Sequence, residues 1–122
     1  MRIIYIALLI ALCGNAHGMT GNELSSQCAG FTMAVDGIEP SLRGVKGLMC
    51  LAYITGVYDM YMEAAPYSSL LTPICVPAGA TNGQMTSVVK KYLVNHPEDL
   101  HRYATSLSIL ALQDAFPCIP QE

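Results

Sequence analysis

Five cysteines, three histidines and one acid on an otherwise apolar stretch are the residues of this 122-residue chain best placed by type to do chemistry. The acid is Asp59, inside "MCLAYITGVYDMY" at 49–61, a stretch that also holds Cys50 and three tyrosines. A cysteine there is a nucleophile, a redox switch, a disulfide half or simply core, and thiolate character and compartment decide which. The wider patterns that catalysis needs are missing: no Gly-x-Ser-x-Gly elbow, no phosphate loop, no His-Glu-x-x-His. His96 and His101 lie five apart across a helix start, which does not put both rings on one face. Asp59 reads either as a buried acid tuned for proton chemistry or a pH response, or as an acid at the edge of a buried face bonded to a tyrosine hydroxyl or a backbone amide. The second is the commoner case, because buried charges are normally paired. Tyr53, Tyr58, Tyr61, Tyr67, Tyr92 and Tyr103 could make an aromatic binding surface, although at helical spacing such residues are more often core with a wet hydroxyl. No catalytic residue, metal site or cofactor is expected.

The compartment decides the cysteines. Met1-Arg2 is followed by "IIYIALLIALC" and then "GNAHG", the layout of a secretory leader: one positive charge, a short apolar run, then small residues. The run is too short to span a bilayer comfortably. Ala16-x-Gly18 supplies small residues where a signal peptidase reads, which makes residues 1–18 a cleaved leader and Met19 the mature start; cleavage after Ala16 is nearly as good. A lipoprotein reading at Cys13 is weaker, because Leu12 is bulky where a small residue is usual. Export removes Cys13 and His17 and leaves an even set, Cys28, Cys50, Cys75 and Cys118, which implies a disulfide framework in an oxidising space. Cys50 then reads as a disulfide half, and a zinc site competing for the same thiols is improbable. Residues 19–122 suffice for one domain with no membrane anchor after cleavage. The net charge of −3 becomes −4 once Arg2 leaves with the leader, which argues against nucleic acid or an anionic membrane as partner.

These residues must be held by helices. Residues 20–29 read as a short helix with Leu24 and Cys28 on one face. The glycines and proline of 30–40 read as a connection. Ser41 can cap a long helix over 42–65, apolar almost all round, whose stripes run through Val45, Met49, Ala52 and Gly56 and through Leu48, Leu51, Tyr58 and Met62; such a helix is expected to be central and buried. Gly44, Gly47 and Gly56 weaken it by about 1 kcal/mol each relative to alanine, with close approach of another helix as the expected return. The prolines of 66–80 exclude regular helix there. Thr81 and Gln84 fit a capping box for a helix carrying Met85, Val88, Val89, Tyr92 and Leu93. Asn95 or His96 is expected to cap the next helix, with Pro97 at its first position and Leu100, Tyr103, Ala104, Leu107, Leu110 and Ala111 as its stripe. The expectation is an all-α bundle of about four helices and no strands. A short connection makes the last two helices an antiparallel hairpin, which places Cys75 near Cys118 and leaves Cys28 for Cys50. Four cysteines allow three pairings, and spacing alone does not choose among them.

Taken in order, "CLAYITGVYD" and "ICVPAGATNGQMTSVVKKYLVNHPEDLHRYATSLSILALQDAFPC" resemble the small periplasmic immunity proteins that neutralise type VI secretion cell-wall amidases, the Tai group. The resemblance is carried by Cys50, Tyr53, Ile54 and Gly56; by Cys75 and Pro77; by Thr81 and Gln84; by Tyr92, Leu93, His96, Pro97 and Glu98; and by Ala115 to Cys118. It covers about 49–118, and before that matches only as a helix with a cysteine, Cys28. It implies an all-helical, disulfide-bonded, often dimeric periplasmic protein that binds an amidase effector and blocks its cleft, without turnover of its own. The matching residues look structural. Two exposed segments could enter a cleft: Pro66, Tyr67, Ser68, Ser69, Leu70, Leu71 and Thr72, or the turn at 95–98. The first is preferred as longer and less constrained.

Two other classes compete. A periplasmic acid-stress chaperone is also small, helical and disulfide-bonded, and few charges with seven methionines suit a protein that exposes apolar patches when protonated. Two disulfides resist such loosening more than one. An exported enzyme would need activity that Asp59→Asn or His101→Ala abolishes without unfolding.

Overall fold

Thr20 and Glu23 set where the first helix begins. In the computed structural model, which describes residues 17–32 and 42–118, the Thr20 hydroxyl accepts from the Glu23 backbone N–H while the Glu23 carboxylate accepts from the Thr20 N–H at 2.7 Å. This reciprocal cap starts α1, Gly21–Cys28, and buries Leu24 and Cys28. α2 runs Leu42–Ala64 and passes into a 3₁₀ turn, Ala65–Tyr67. Thr81 and Gln84 form the expected capping box for α3, Asn82–Asn95, with Thr81 N–H donating to Gln84 Oε1 at 2.8 Å. α4 is Ala104–Ala115. The four helices pack on one another around Leu24, Ile54, Val89, Leu93, Leu107 and Leu112. Burial of each such side chain contributes about 1.5–3 kcal/mol. The described residues contain no strand, so the fold is all-α.

Two disulfides tie the bundle: Cys28 to Cys50, joining α1 to α2, and Cys75 to Cys118, joining the segments that flank α3 and α4. The second is reinforced by the Cys75 N–H, which donates to Phe116 O at 3.0 Å. Buried hydroxyls are satisfied locally: Thr86 donates to Asn82 O and Ser108 to Ala104 O, each at 2.8 Å. Tyr53 and Thr105 hydroxyls meet at 3.0 Å and join α2 to α4.

Two expectations are corrected. First, α2 is not buried all round. Its inward face is Gly47, Cys50, Ile54 and Tyr61, whereas Val45, Leu48, Met49, Met60 and Met62 are 42–64% exposed, and Ala52 and Gly56 also face outward. The Cys28 bridge turns Cys50 inward, so the Val45–Met49–Ala52–Gly56 stripe, centred about 130° round the helix at about 100° per residue, turns out. A Cβ on Gly47 would meet Gly30 O at 2.7 Å, so the close approach there is to the turn after α1; around Gly56 nothing among the described residues lies within 4 Å.

Second, no helix runs from Pro97. Residues Pro97–Asp99 make a single 3₁₀ turn after His96, and α4 starts only at Ala104, so Asn95 is the last residue of α3 and Pro97 does not open the helix carrying Leu107 and Ala111. The N-terminal segment competes for the backbone groups: Leu100 O and Arg102 O accept from Asn22 and Gly21 N–H, both at 2.9 Å, and Ala104 N–H donates to Met19 O at 2.8 Å. The orphan donors of α1 are thereby satisfied by carbonyls that a continuous helix would have used itself. Tyr103, at this junction, is 66% exposed rather than part of the apolar stripe.

Asp59 is exposed on the outer face of α2, which removes the less favoured reading of it as a buried acid. The expected Ser41 cap and the expected leader, up to Ala16, lie outside the described residues.

Candidate partner-binding surface

α2 ends where Pro66 and Tyr67 tighten the chain into its 3₁₀ turn, which has proline at its start and no side-chain cap. From there Ser68, Ser69, Leu70 and Leu71 turn back toward the bundle. The Ser68 N–H donates to Ala65 O, the Leu71 N–H to Ser68 O and the Leu70 N–H to Ser68 Oγ, each at 3.3 Å. Tyr67 is 90% and Leu70 92% exposed, the two most exposed large apolar side chains in the described structure. Leu71 faces the other way and packs against the core. Residues 64–89 carry no charged side chain at all. The result is a projecting, uncharged loop with an aromatic and an aliphatic tip, held by a root that packs inward.

That root is fixed by two anchors. At Thr72 the carbonyl accepts from the Tyr61 hydroxyl and, at 3.0 Å, from Gln113 Nε2, which also donates to the Tyr61 oxygen at 3.1 Å. Beyond Pro73, Ile74 is buried and bridges to Pro117, and Cys75 is bonded to Cys118. Tyr61 reads in the sequence only as one of six tyrosines of a possible aromatic surface, and Gln113 carries no signal; they lie 52 positions apart and only the packing of α2 against α4 joins them.

The alternative segment, 95–98, is shorter and more tightly tied. His96 stacks on Tyr92 at 4.0 Å and its Nδ1–H donates to Tyr92 O at 2.9 Å. His101 Nδ1–H donates to Glu98 O, and Arg102 pairs with Asp99 at the surface. Both imidazoles are thus engaged with backbone. Among the described residues no three His, Cys, Asp or Glu side chains converge as a metal site. A shallow hollow lined by Phe31, Ser87, Lys90, Lys91 and Val94 is elsewhere, with Lys90 Nζ donating to Phe31 O at 2.9 Å.

Glu23 is held below its ordinary range by the Thr20 backbone N–H and then by the Thr20 hydroxyl, a local capping effect. No described helix is long and apolar enough to cross a membrane. What the loop at 66–72 offers is shape and apolar contact, which suits recognition of a protein surface.

Compared with known proteins, residues 9–118 match the family model described as Rap1a immunity proteins. No curated protein matches the chain.

Proposed function

The chain belongs to the Rap1a immunity protein family, a family of type VI secretion immunity proteins, and from that premise we propose that it is a periplasmic protein that binds and blocks a peptidoglycan amidase effector. It does so stoichiometrically and without chemistry of its own. The observation that carries this reading is the loop at 66–72: Tyr67 and Leu70 project almost fully into solvent from an uncharged segment whose C-terminal root is anchored at Thr72 and Cys75. Aromatic and aliphatic anchors on a pre-ordered loop bind without a large ordering cost, which is how a small protein plugs an enzyme cleft. Residues 1–18 act as the export signal, delivering the domain to a space where both disulfides form.

The test is co-purification. The chain, tagged at its C-terminus and made with its own leader in the source bacterium, is isolated from the periplasm with whatever it holds. One dominant cell-wall amidase, inhibited at equal stoichiometry, is the expected result. An array of unrelated proteins gathered after acid shock would overturn this reading in favour of the acid-stress chaperone.

A second element of the reading is a homodimer. The observation favouring it is the outer face of α2, where Val45, Leu48, Met49 and Met60 surround the small residues Ala52 and Gly56. A largely apolar face with a small-residue centre, bordered by Asp59, admits a second helix closely.

A further inference from the structure

We propose that Tyr61 and Gln113 are positioning residues for partner binding, holding the loop at 66–72 in its binding shape through the Thr72 carbonyl. The proposal rests on the reading of that loop as the partner contact.

Three groups close a ring of hydrogen bonds. The Tyr61 hydroxyl donates to Thr72 O, and Gln113 Nε2 donates to Thr72 O at 3.0 Å and to the Tyr61 oxygen at 3.1 Å. The amide of Gln113 spends both its N–H groups here, the tyrosine both gives and receives, and the carbonyl uses both lone pairs, so the ring is complete. Tyr61 is only 3% exposed, and its ring lies in the core with α2, whereas Gln113 belongs to α4. Two rigid helices therefore grip one backbone oxygen at the C-terminal root of a loop whose tip is almost fully exposed.

The tip itself is weakly held. Its internal bonds are those of the Leu70 and Leu71 N–H groups to Ser68, both at 3.3 Å and at the long end of the range. Nothing at Tyr67 or Leu70 buries enough surface to order the segment. The order of the loop thus comes from its root: the carbonyl ring at Thr72, Leu71 packed beneath, and the disulfide three residues on. Freeing the root would let the loop sample many shapes, and the partner would have to re-order it on binding.

The variant Tyr61→Phe/Gln113→Met removes every donor of the ring while keeping the buried ring and the side-chain volume. Two readouts are taken on the full mature chain. Hydrogen exchange should rise about tenfold at the Leu70 and Leu71 amides with α3 unchanged. Affinity for the amidase recovered with the wild-type chain should fall about tenfold, chiefly through faster dissociation. Leu70→Asp serves as the reference for direct contact. Exchange that stays unchanged in the loop, or that rises equally throughout α3, overturns the proposal, since the pair would then be irrelevant or a general support of the fold. Faster loop exchange with unchanged affinity also overturns it, provided Leu70→Asp weakens binding. If Leu70→Asp leaves binding intact, the contact reading of 66–72 fails and takes the proposal with it.

Discussion

Gly47 of α2 lies against Gly30 so closely that a Cβ on it would stand 2.7 Å from the Gly30 carbonyl oxygen and 2.9 Å from its carbonyl carbon. The neighbour is backbone, held in place by the adjoining Cys28–Cys50 bridge, and has no flexible end that could give way. Gly47→Ala is expected to destabilise the protein by about 1–3 kcal/mol, the range for overpacking a close contact. Gly56→Ala, on the same helix but facing open space, should stabilise it by up to about 1 kcal/mol, by helix propensity and reduced freedom of the unfolded chain. Urea denaturation of the two variants side by side checks the contrast in sign.

Removing the second disulfide tests how the bundle is closed. Cys75 and Cys118 are 43 residues apart in sequence, and closing a loop of that size is worth about 4 kcal/mol in the chain-entropy model. Cys75→Ser/Cys118→Ser should lower stability by about 2–4 kcal/mol, visible as a lower melting temperature. An unchanged melting temperature would show that the bridge does not constrain the unfolded chain.

Acid reaches the cap of α1 only below the ordinary carboxylate range. Glu23 is held below its ordinary value in the folded chain by its bonds to Thr20. Its contribution is therefore present above the ordinary carboxylate range of about 4.5 and is lost as pH falls through the lower folded value. Between neutrality and that range, Glu23→Gln should shift stability little with pH, and below it the variant and the wild type should converge. Circular dichroism melts from pH 7 down to pH 3 would show convergence, or refute the cap's role by showing parallel curves.

Partner affinity should respond to the loop tip without a change in fold. Leu70→Asp places a charge on a side chain that is 92% exposed, and Ser69→Trp adds bulk beside it. Each should weaken amidase binding by at least about tenfold, since truncating or charging a central anchor costs about 2 kcal/mol or more. Melting temperatures should stay within about 4 °C of wild type, because surface changes are usually within about 0.5 kcal/mol. Binding that survives both substitutions would move the contact away from 66–72, with the 95–98 turn next in line.

Exposure of α2 makes its own prediction for assembly. Ala52→Glu and Gly56→Glu place charge in the centre of the outer apolar face, where the fold leaves room. If that face joins two copies, light scattering should show a dimer for the wild type and a monomer for the variants, with helicity unchanged. Identical masses for all three would remove α2 from the assembly interface.

Much of this architecture was legible in the residues. Thr81 and Gln84 state a helix start in four positions because the cap is a local exchange of hydrogen bonds. Thr20 and Glu23 carry the same signal just as locally. The projecting segment was legible too, since Pro66, Pro73 and Pro77 exclude helix and the absence of charge over 64–89 is plain. Its anchoring was not. Tyr61 and Gln113 meet Thr72 only after α2 and α4 have packed, and no local pattern encodes a contact 52 or 41 residues distant.

By itself, then, the sequence determined what depends on neighbours in the chain: four helices, the cap at Thr81 and a proline-rich break between α2 and α3. Tertiary structure decided two things that local propensity leaves degenerate. One is which side of α2 faces inward. Apolar residues surround that helix, so hydrophobicity supplies no preferred face, and the Cys28–Cys50 bridge with the Gly47–Gly30 approach supplies it instead. The other is where α4 begins. Pro97, Glu98 and Asp99 favour a helix start on local grounds, but the carbonyls of Leu100 and Arg102 are taken by the N–H groups of Asn22 and Gly21. A helix end satisfied across the fold outweighs one satisfied along the chain, because every buried N–H must find an acceptor and each carbonyl has only so many to give.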